Sequence, residues 1–111
     1  METDSFKIGY VMGLIVGEGA FSGDKKTPRL SIKQRDNLLP LQTCVELLGG
    51  RIHGPYRYKY QDGKERVYHM WCLDGQPLKA AIPTLEANIP PSIKRDQLIA
   101  WKTRYFSVAN R

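Results

Sequence analysis

Tyr10-Val11-Met12-Gly13-Leu14-Ile15-Val16-Gly17-Glu18-Gly19 is an apolar run, studded with glycine, that stops on a carboxylate. Gly9, Gly13 and Gly17 recur every fourth residue and, in a helix, form one stripe without side chains along which two backbones can approach. Each glycine costs a soluble helix about 1 kcal/mol relative to alanine, so three at this spacing point to close helix–helix contact. Ile8, Val11, Leu14, Ile15 and Val16 surround the stripe and leave no polar face, the pattern of a helix buried on several sides. One side is expected to face the chain's own core and the other a partner. The uncharged run from Ile8 to Gly17 falls well short of the ~20 residues that span a bilayer, so a membrane helix is not expected.

Glu18 is out of place. A carboxylate at a helix C-terminus meets the negative end of the macrodipole, where a cation would be favoured. If two copies of the helix pack along their glycines, two Glu18 side chains also approach each other, and like charges disfavour ionisation. A divalent metal would resolve both conflicts; the plainer alternative is a core helix whose last residue is an exposed glutamate.

The 111 residues are enough for one domain with one core, and the 41% apolar and 25% charged content is that of an ordinary globular chain. The formal net charge of +6 is concentrated. Residues 25–69 hold ten Lys/Arg against four acids, and the rest of the chain balances to zero, so the whole excess lies in the middle. That is the electrostatic footprint of a nucleic-acid-binding face. Met1-Glu2-Thr3-Asp4-Ser5 lacks the basic and apolar layout of a signal peptide, and a soluble, intracellular protein is expected. Cys44, His53, His69 and Cys72 fit no zinc-finger or ribbon spacing, and the two cysteines are read as reduced thiols in or near the core, a structural zinc being the alternative.

Along the chain, Thr3, Asp4 or Ser5 can cap the first helix. Ala20, Ser22 and Asp24 then alternate with Phe21 and Gly23, and after a turn Leu30, Ile32 and Gln34 alternate with Arg29, Ser31, Lys33 and Arg35. This predicts a β-hairpin with an apolar back and a basic front. Asp36 or Asn37 can cap a second helix carrying Leu38, Leu41, Val45 and Leu48, closed by Gly49-Gly50. A second hairpin is predicted from Arg51–Tyr60 and Glu65–Leu73, joined by a turn with an Asp62-Gly63 signal. Arg51, His53, Arg57 and Lys59 could share its front, but a bulge is expected at Gly54-Pro55 and spacing does not fix the register beyond it; His69 and Trp71 fall on one face of the return strand, and Tyr68, Met70 and Cys72 on the other. A helix with Leu78, Ala81, Ile82 and Leu85 should be kinked or split by Pro83. Ser92 can cap a last helix with Ile93, Leu98, Trp101 and Tyr105, where Lys94 and Arg95 oppose the helix dipole unless an anion such as phosphate sits nearby. The order is that of an α+β fold, helices on one face of a four-stranded antiparallel sheet.

Val11-Met12-Gly13-Leu14-Ile15-Val16-Gly17-Glu18-Gly19 resembles the LAGLIDADG motif of homing endonucleases, with glycine, leucine, isoleucine, acid and final glycine in register; Val11, Met12 and Val16 depart from it. The element order is likewise similar to that family's αββαββα core with its saddle-shaped sheet, so the resemblance covers nearly the whole chain. It implies a homodimer, because the chain holds one copy of the motif, with Gly9, Met12, Gly13, Val16 and Gly17 at the dimer contact. It implies metal-dependent, site-specific cleavage of a long, nearly palindromic DNA duplex with short 3′ overhangs, in the service of intron or intein mobility. Glu18, with the Gly19 carbonyl, is implied as the ligand set for Mg²⁺, which Ca²⁺ or Mn²⁺ can replace, with no small-molecule cofactor. Gln34 would organise active-site water, and Lys94 would stabilise charge at the scissile phosphate. The DNA-reading candidates are Ser22, Asp24, Lys25, Lys26, Arg29, Ser31, Lys33, Arg51, His53, Arg57, Lys59, His69 and Trp71. A cleavage-inactive nucleic-acid-binding protein of the same fold, such as an intron-splicing cofactor or a DNA-binding regulator, is the alternative.

Overall fold

Burial alternates residue by residue along the second strand, and that alternation decides which face of the sheet the helices cover. The computed structural model describes residues 2–24, 27–35 and 37–107. The elements run α1 (Glu2–Glu18), β1 (Ala20–Asp24), β2 (Thr27–Gln34), α2 (Leu39–Leu48), β3 (Arg51–Lys59), β4 (Glu65–Leu73), α3 (Gly75–Asn88) and α4 (Ile93–Lys102), with a π-helical turn at Thr103–Ser107. The chain is α+β, and its four antiparallel strands are ordered β1-β2-β4-β3, each hairpin placing its second strand in the centre. No helix among the described residues is long and apolar enough to cross a membrane.

In β2, Leu30 and Ile32 are buried and pair with Leu73 and Trp71 of β4, which are buried too. The helices pack on this face and add Val11, Met12, Ile15, Leu41, Cys44, Leu78, Leu85, Leu98 and Trp101 to one core. Arg29, Ser31 and Lys33 therefore point to the opposite, open face, as the alternation predicts. At the outer edge of β1, the Trp101 indole donates to the Ser22 carbonyl at 2.7 Å, and its ring packs on Phe21 with centroids 5.1 Å apart. An edge carbonyl is thereby satisfied by a side chain and kept from pairing with another strand.

Several expectations shift. Trp71, placed with the DNA-reading residues, is fully buried and donates its indole N–H to the Gly49 carbonyl at 2.8 Å. Period-2 alternation separated the two faces of β4 correctly, but the covered face is the one with Trp71. Met12 is only 3% exposed and belongs to the core, not to the glycine stripe. α1 begins at Glu2, ahead of the capping residues expected at Thr3–Ser5. α3 runs unbroken through Pro83, which lies on its exposed side while Ala81, Ile82 and Leu85 are buried; their packing outweighs the proline penalty of about 3 kcal/mol. Ile93, expected on the apolar side of the last helix, is 78% exposed. The N-cap position of α2 is Leu38, which has no side-chain cap; Asn37, one residue earlier, accepts through Oδ1 from the Leu39 N–H at 2.9 Å, and Asp36 lies outside the described residues.

Both cysteines are free thiols, and burial pushes that of Cys44 up to about 12, so neither geometry nor ionisation makes it reactive at neutral pH. The turn from α2 into β3 depends on glycine. Gly50 has φ +87°, and a Cβ there would lie 2.5 Å from the Cys72 carbonyl oxygen and 2.8 Å from the Trp71 indole nitrogen. Gly50→Ala is expected to destabilise the fold by about 3 kcal/mol, through the left-handed backbone and the clash together, measured by urea unfolding. A loss below about 0.5 kcal/mol would contradict this packing.

Candidate functional site

The last turn of α1 is closed by the Gly19 N–H, which donates to the Ile15 carbonyl at 2.8 Å. A Cβ at position 19 would lie 2.7 Å from that same oxygen, so the Glu18-Gly19 step needs glycine. Beyond it the chain turns directly into β1, leaving the Glu18 carboxylate exposed at the end of the helix. Gln34, the last residue of β2, reaches the same point, and its side-chain amide donates to Glu18 Oε2. From 75 positions away in sequence, Lys94 in the first turn of α4 donates Nζ to the Gly19 carbonyl at 2.5 Å. Glu18, Gln34 and Lys94 thus converge at one helix end.

The Lys94 ammonium supplies positive charge where the α1 dipole is negative, part of what Glu18 was expected to require from outside. Its neighbour Arg95 does the same for α3, Nη1 donating to the carbonyls of Glu86 at 2.9 Å and Ile89 at 2.6 Å. The two cations at the start of α4, which the sequence left to be balanced by phosphate, are therefore each held against the C-terminal carbonyls of another helix. Ser92 caps α4 as expected, accepting from the Arg95 N–H at 3.1 Å.

For a metal, each chain offers the Glu18 carboxylate and the Gly19 carbonyl, and the latter already accepts from Lys94. Both are hard oxygen donors of the kind Mg²⁺ takes. Among the described residues no group of three or more His, Cys, Asp or Glu stands together to hold an ion. Two donors per chain suit such a cation only when a second chain, phosphate oxygens or water complete the set.

The glycine stripe lies open. Gly9, Gly13 and Gly17 are exposed, and a Cβ added at any of the three would meet, beyond its chain neighbours and its own helix backbone, no described atom within 4 Å. Phe6 and Tyr10 are exposed beside it, at 75% and 38%, and Val16 is half-buried. Among the described residues nothing uses the space these glycines leave.

On the open sheet face, Ser22, Arg29, Ser31, Lys33, Arg51 and His53 stand together, joined by pairs such as Ser22 with Arg29 and Arg51 with Cys72. Arg29 also lies 3.7 Å from Asp74, an exposed ion pair worth at most about 1 kcal/mol and easily given up to a phosphate. The register shift between His53 and Tyr56 turns the strand over: Tyr56 and Tyr58 join the open face opposite Tyr68 and Arg66, while Arg57 and Lys59 go to the other side. Arg57 there lies 3.6 Å from Glu65. Arg57 and Lys59 therefore do not share a face with Arg51 and His53. His69, half-buried, pairs with Gln34 on the Trp71 side. Lys25, Lys26 and the side chain of Asp24 lie outside the described residues.

A groove of about 630 Å³ joins Glu18 and Gln34 to Tyr58, Tyr60 and Tyr68, with Lys33, Arg35 and Asn37 in its wall. The tyrosines, Arg35 and Arg66 were not among the expected site residues. Tyr56, Tyr58 and Tyr60 do recur at every second position, a spacing that puts them on one face, but only the bulge decides which.

Lys94→Met, keeping the stem and removing the charge, is expected to destabilise the fold by about 1 kcal/mol by exposing the α1 terminus and its carbonyl. Thermal unfolding at low salt would measure it, and an unchanged midpoint would show that the contact contributes nothing. No protein-family model matches the chain, and no curated protein matches it.

Proposed function

We propose that this protein is a homodimeric, metal-dependent, site-specific DNA endonuclease of the LAGLIDADG type. The observation that carries the proposal is the meeting of Glu18, Gln34 and Lys94 at the end of a helix whose glycine stripe is unused by its own chain. Two such helices packed along Gly9, Gly13 and Gly17 bring two Glu18 carboxylates together beneath two basic sheet faces. The open faces then form one continuous surface, saddle-shaped in the arrangement the motif implies, for a long and nearly palindromic duplex.

Phosphodiester hydrolysis requires an activated water, stabilisation of charge on phosphorus and help for the leaving oxygen. Glu18 and the Gly19 carbonyl would hold Mg²⁺, which when bound would supply Lewis acidity and make water more acidic. Gln34 fixes the orientation of the Glu18 carboxylate through its amide. The Lys94 ammonium sits one residue from the acid, where it can transfer its hydrogen bond from the Gly19 carbonyl to phosphate oxygens as negative charge grows. Ser22, Arg29, Ser31, Lys33, Arg51 and His53 meet phosphates and base edges in the grooves. Specific cutting with short 3′ overhangs, and intron or intein mobility, follow from the resemblance to the family.

A second reading is a nucleic-acid-binding protein on the same fold that does not cut. Its support is that the site's polar groups satisfy one another within one chain: Gln34 occupies Glu18, and Lys94 occupies the Gly19 carbonyl. Cleavage separates the two readings. On a randomised duplex library with Mg²⁺, the chain is expected to cut a narrow set of sites, and Glu18→Gln to lower cutting by at least about 1,000-fold while retaining selective binding. A Glu18→Gln chain that still cuts overturns the assignment of Glu18, and a natural chain that binds selectively without cutting establishes the second reading.

A further inference from the structure

Beyond the helix layer the β3–β4 hairpin carries an aromatic cluster that the duplex-binding face does not account for. The Tyr58 ring lies 4.8 Å from that of Tyr60 and 5.9 Å from that of Tyr68, centroid to centroid. The Tyr58 hydroxyl donates to the Tyr60 hydroxyl at 2.7 Å. Cations cover two of the rings: Lys33 Nζ stands 5.4 Å from the Tyr68 centroid, and the Arg66 guanidinium 5.1 Å from that of Tyr60. Tyr58 is 47% exposed, and among the described residues no cation is placed over its ring. These rings form one wall of the groove that ends at Glu18 and Gln34.

A tyrosine cluster on a hairpin can simply hold the two strands together, and the contacts between Tyr56 and Tyr68 do this. Two features go beyond that role. The groove's volume of about 630 Å³ suits a nucleotide-sized group, and it lies beside the one end of α1 where a carboxylate and an amide project. Among the described residues its charge is also one-sided, with Lys33, Arg35 and Arg66 around the rings against the acid Glu18. Paired bases show a protein their edges and keep their faces stacked, whereas an unpaired base offers its face to an aromatic ring. Exposed rings interleaved with cations are the chemistry of single-strand binding.

We propose that this groove is a stacking subsite for one unpaired nucleotide of a DNA strand, its base on Tyr58 and its phosphate between Lys33 and Arg35. The inference deepens the nuclease reading by naming the state of the strand beside Glu18, and it rests on that reading only for the polymer being DNA. It implies that strand ends or locally opened positions near the cut are held, not only the intact duplex.

The test is fluorescence anisotropy in a metal chelator, so that no cutting occurs, with fluorescein-labelled octathymidylate and a labelled 16-base-pair hairpin duplex as separate probes. Tyr58→Leu is expected to weaken octathymidylate binding about tenfold and duplex binding less than twofold, while Tyr58→Phe stays within twofold of the natural chain on both. The proposal is overturned if Tyr58→Leu leaves octathymidylate binding unchanged, if it weakens both probes equally, or if Tyr58→Phe loses as much as Tyr58→Leu. If Tyr58→Leu loses its fold by circular dichroism, Tyr58→Trp takes its place: equal or tighter octathymidylate binding supports the subsite, and weaker binding overturns it. A chain that shows the expected pattern but never cuts DNA keeps the subsite and loses the nuclease reading; one that cuts normally while failing these tests does the reverse.

Discussion

Val11, Met12 and Ile15 fix α1 into the core at no more than 3% exposure, while Gly9, Gly13 and Gly17 lie on its far side with empty space where side chains would be. The constraint acts in two directions. The buried side sets where the helix crosses the sheet, and therefore where Glu18 emerges, next to the end of β2. The open side carries three glycines that each cost about 1 kcal/mol of helix propensity and, among the described residues, meet nothing that offsets it. The close helix–helix contact with a second copy that we propose would offset that loss.

The polar site is built from helix ends. Lys94 and Arg95 open α4, where the dipole repels them, yet each is held on the closing carbonyls of another helix, Gly19 after α1 and Glu86 and Ile89 at the end of α3. One pair of residues thus ties three helices together and sets an ammonium on the Gly19 carbonyl, one residue beyond Glu18, without placing it in the core. The arrangement is as serviceable for structure as for chemistry, and for that reason function has to be read from the groove, the open face and the unused glycines as well.

Much of the fold was legible in the sequence, because burial in β2 reverses at every residue and the composition follows it, with Leu30 and Ile32 against Arg29, Ser31 and Lys33. β4 was legible only by half. Alternation sorts His69 and Trp71 from Tyr68, Met70 and Cys72, but both sets mix polar and apolar residues, so the covered side is settled only by pairing to β2. In β3 one extra residue reverses the faces of Arg57, Lys59, Tyr56 and Tyr58; Gly54-Pro55 marks where a bulge is expected, and the shift falls there, but spacing does not settle the register beyond it. Spacing alone does not bring Gln34 or Lys94 to Glu18: the first is an amide at a strand end and the second a lysine at a helix start. Their proximity was expected from the resemblance and is a consequence of three separate elements meeting.

The central claim is that the open side of α1 is the contact between two copies. Sedimentation equilibrium of the natural chain and of Gly13→Leu tests it most directly, since a Cβ at position 13 meets no described atom outside its own helix within 4 Å, and circular dichroism checks that the variant is folded. The account predicts twice the 12.7 kDa chain mass for the natural protein and a folded species of one chain mass for Gly13→Leu. A natural chain that remains monomeric at about 100 μM, or a Gly13→Leu variant that remains a dimer, would contradict it.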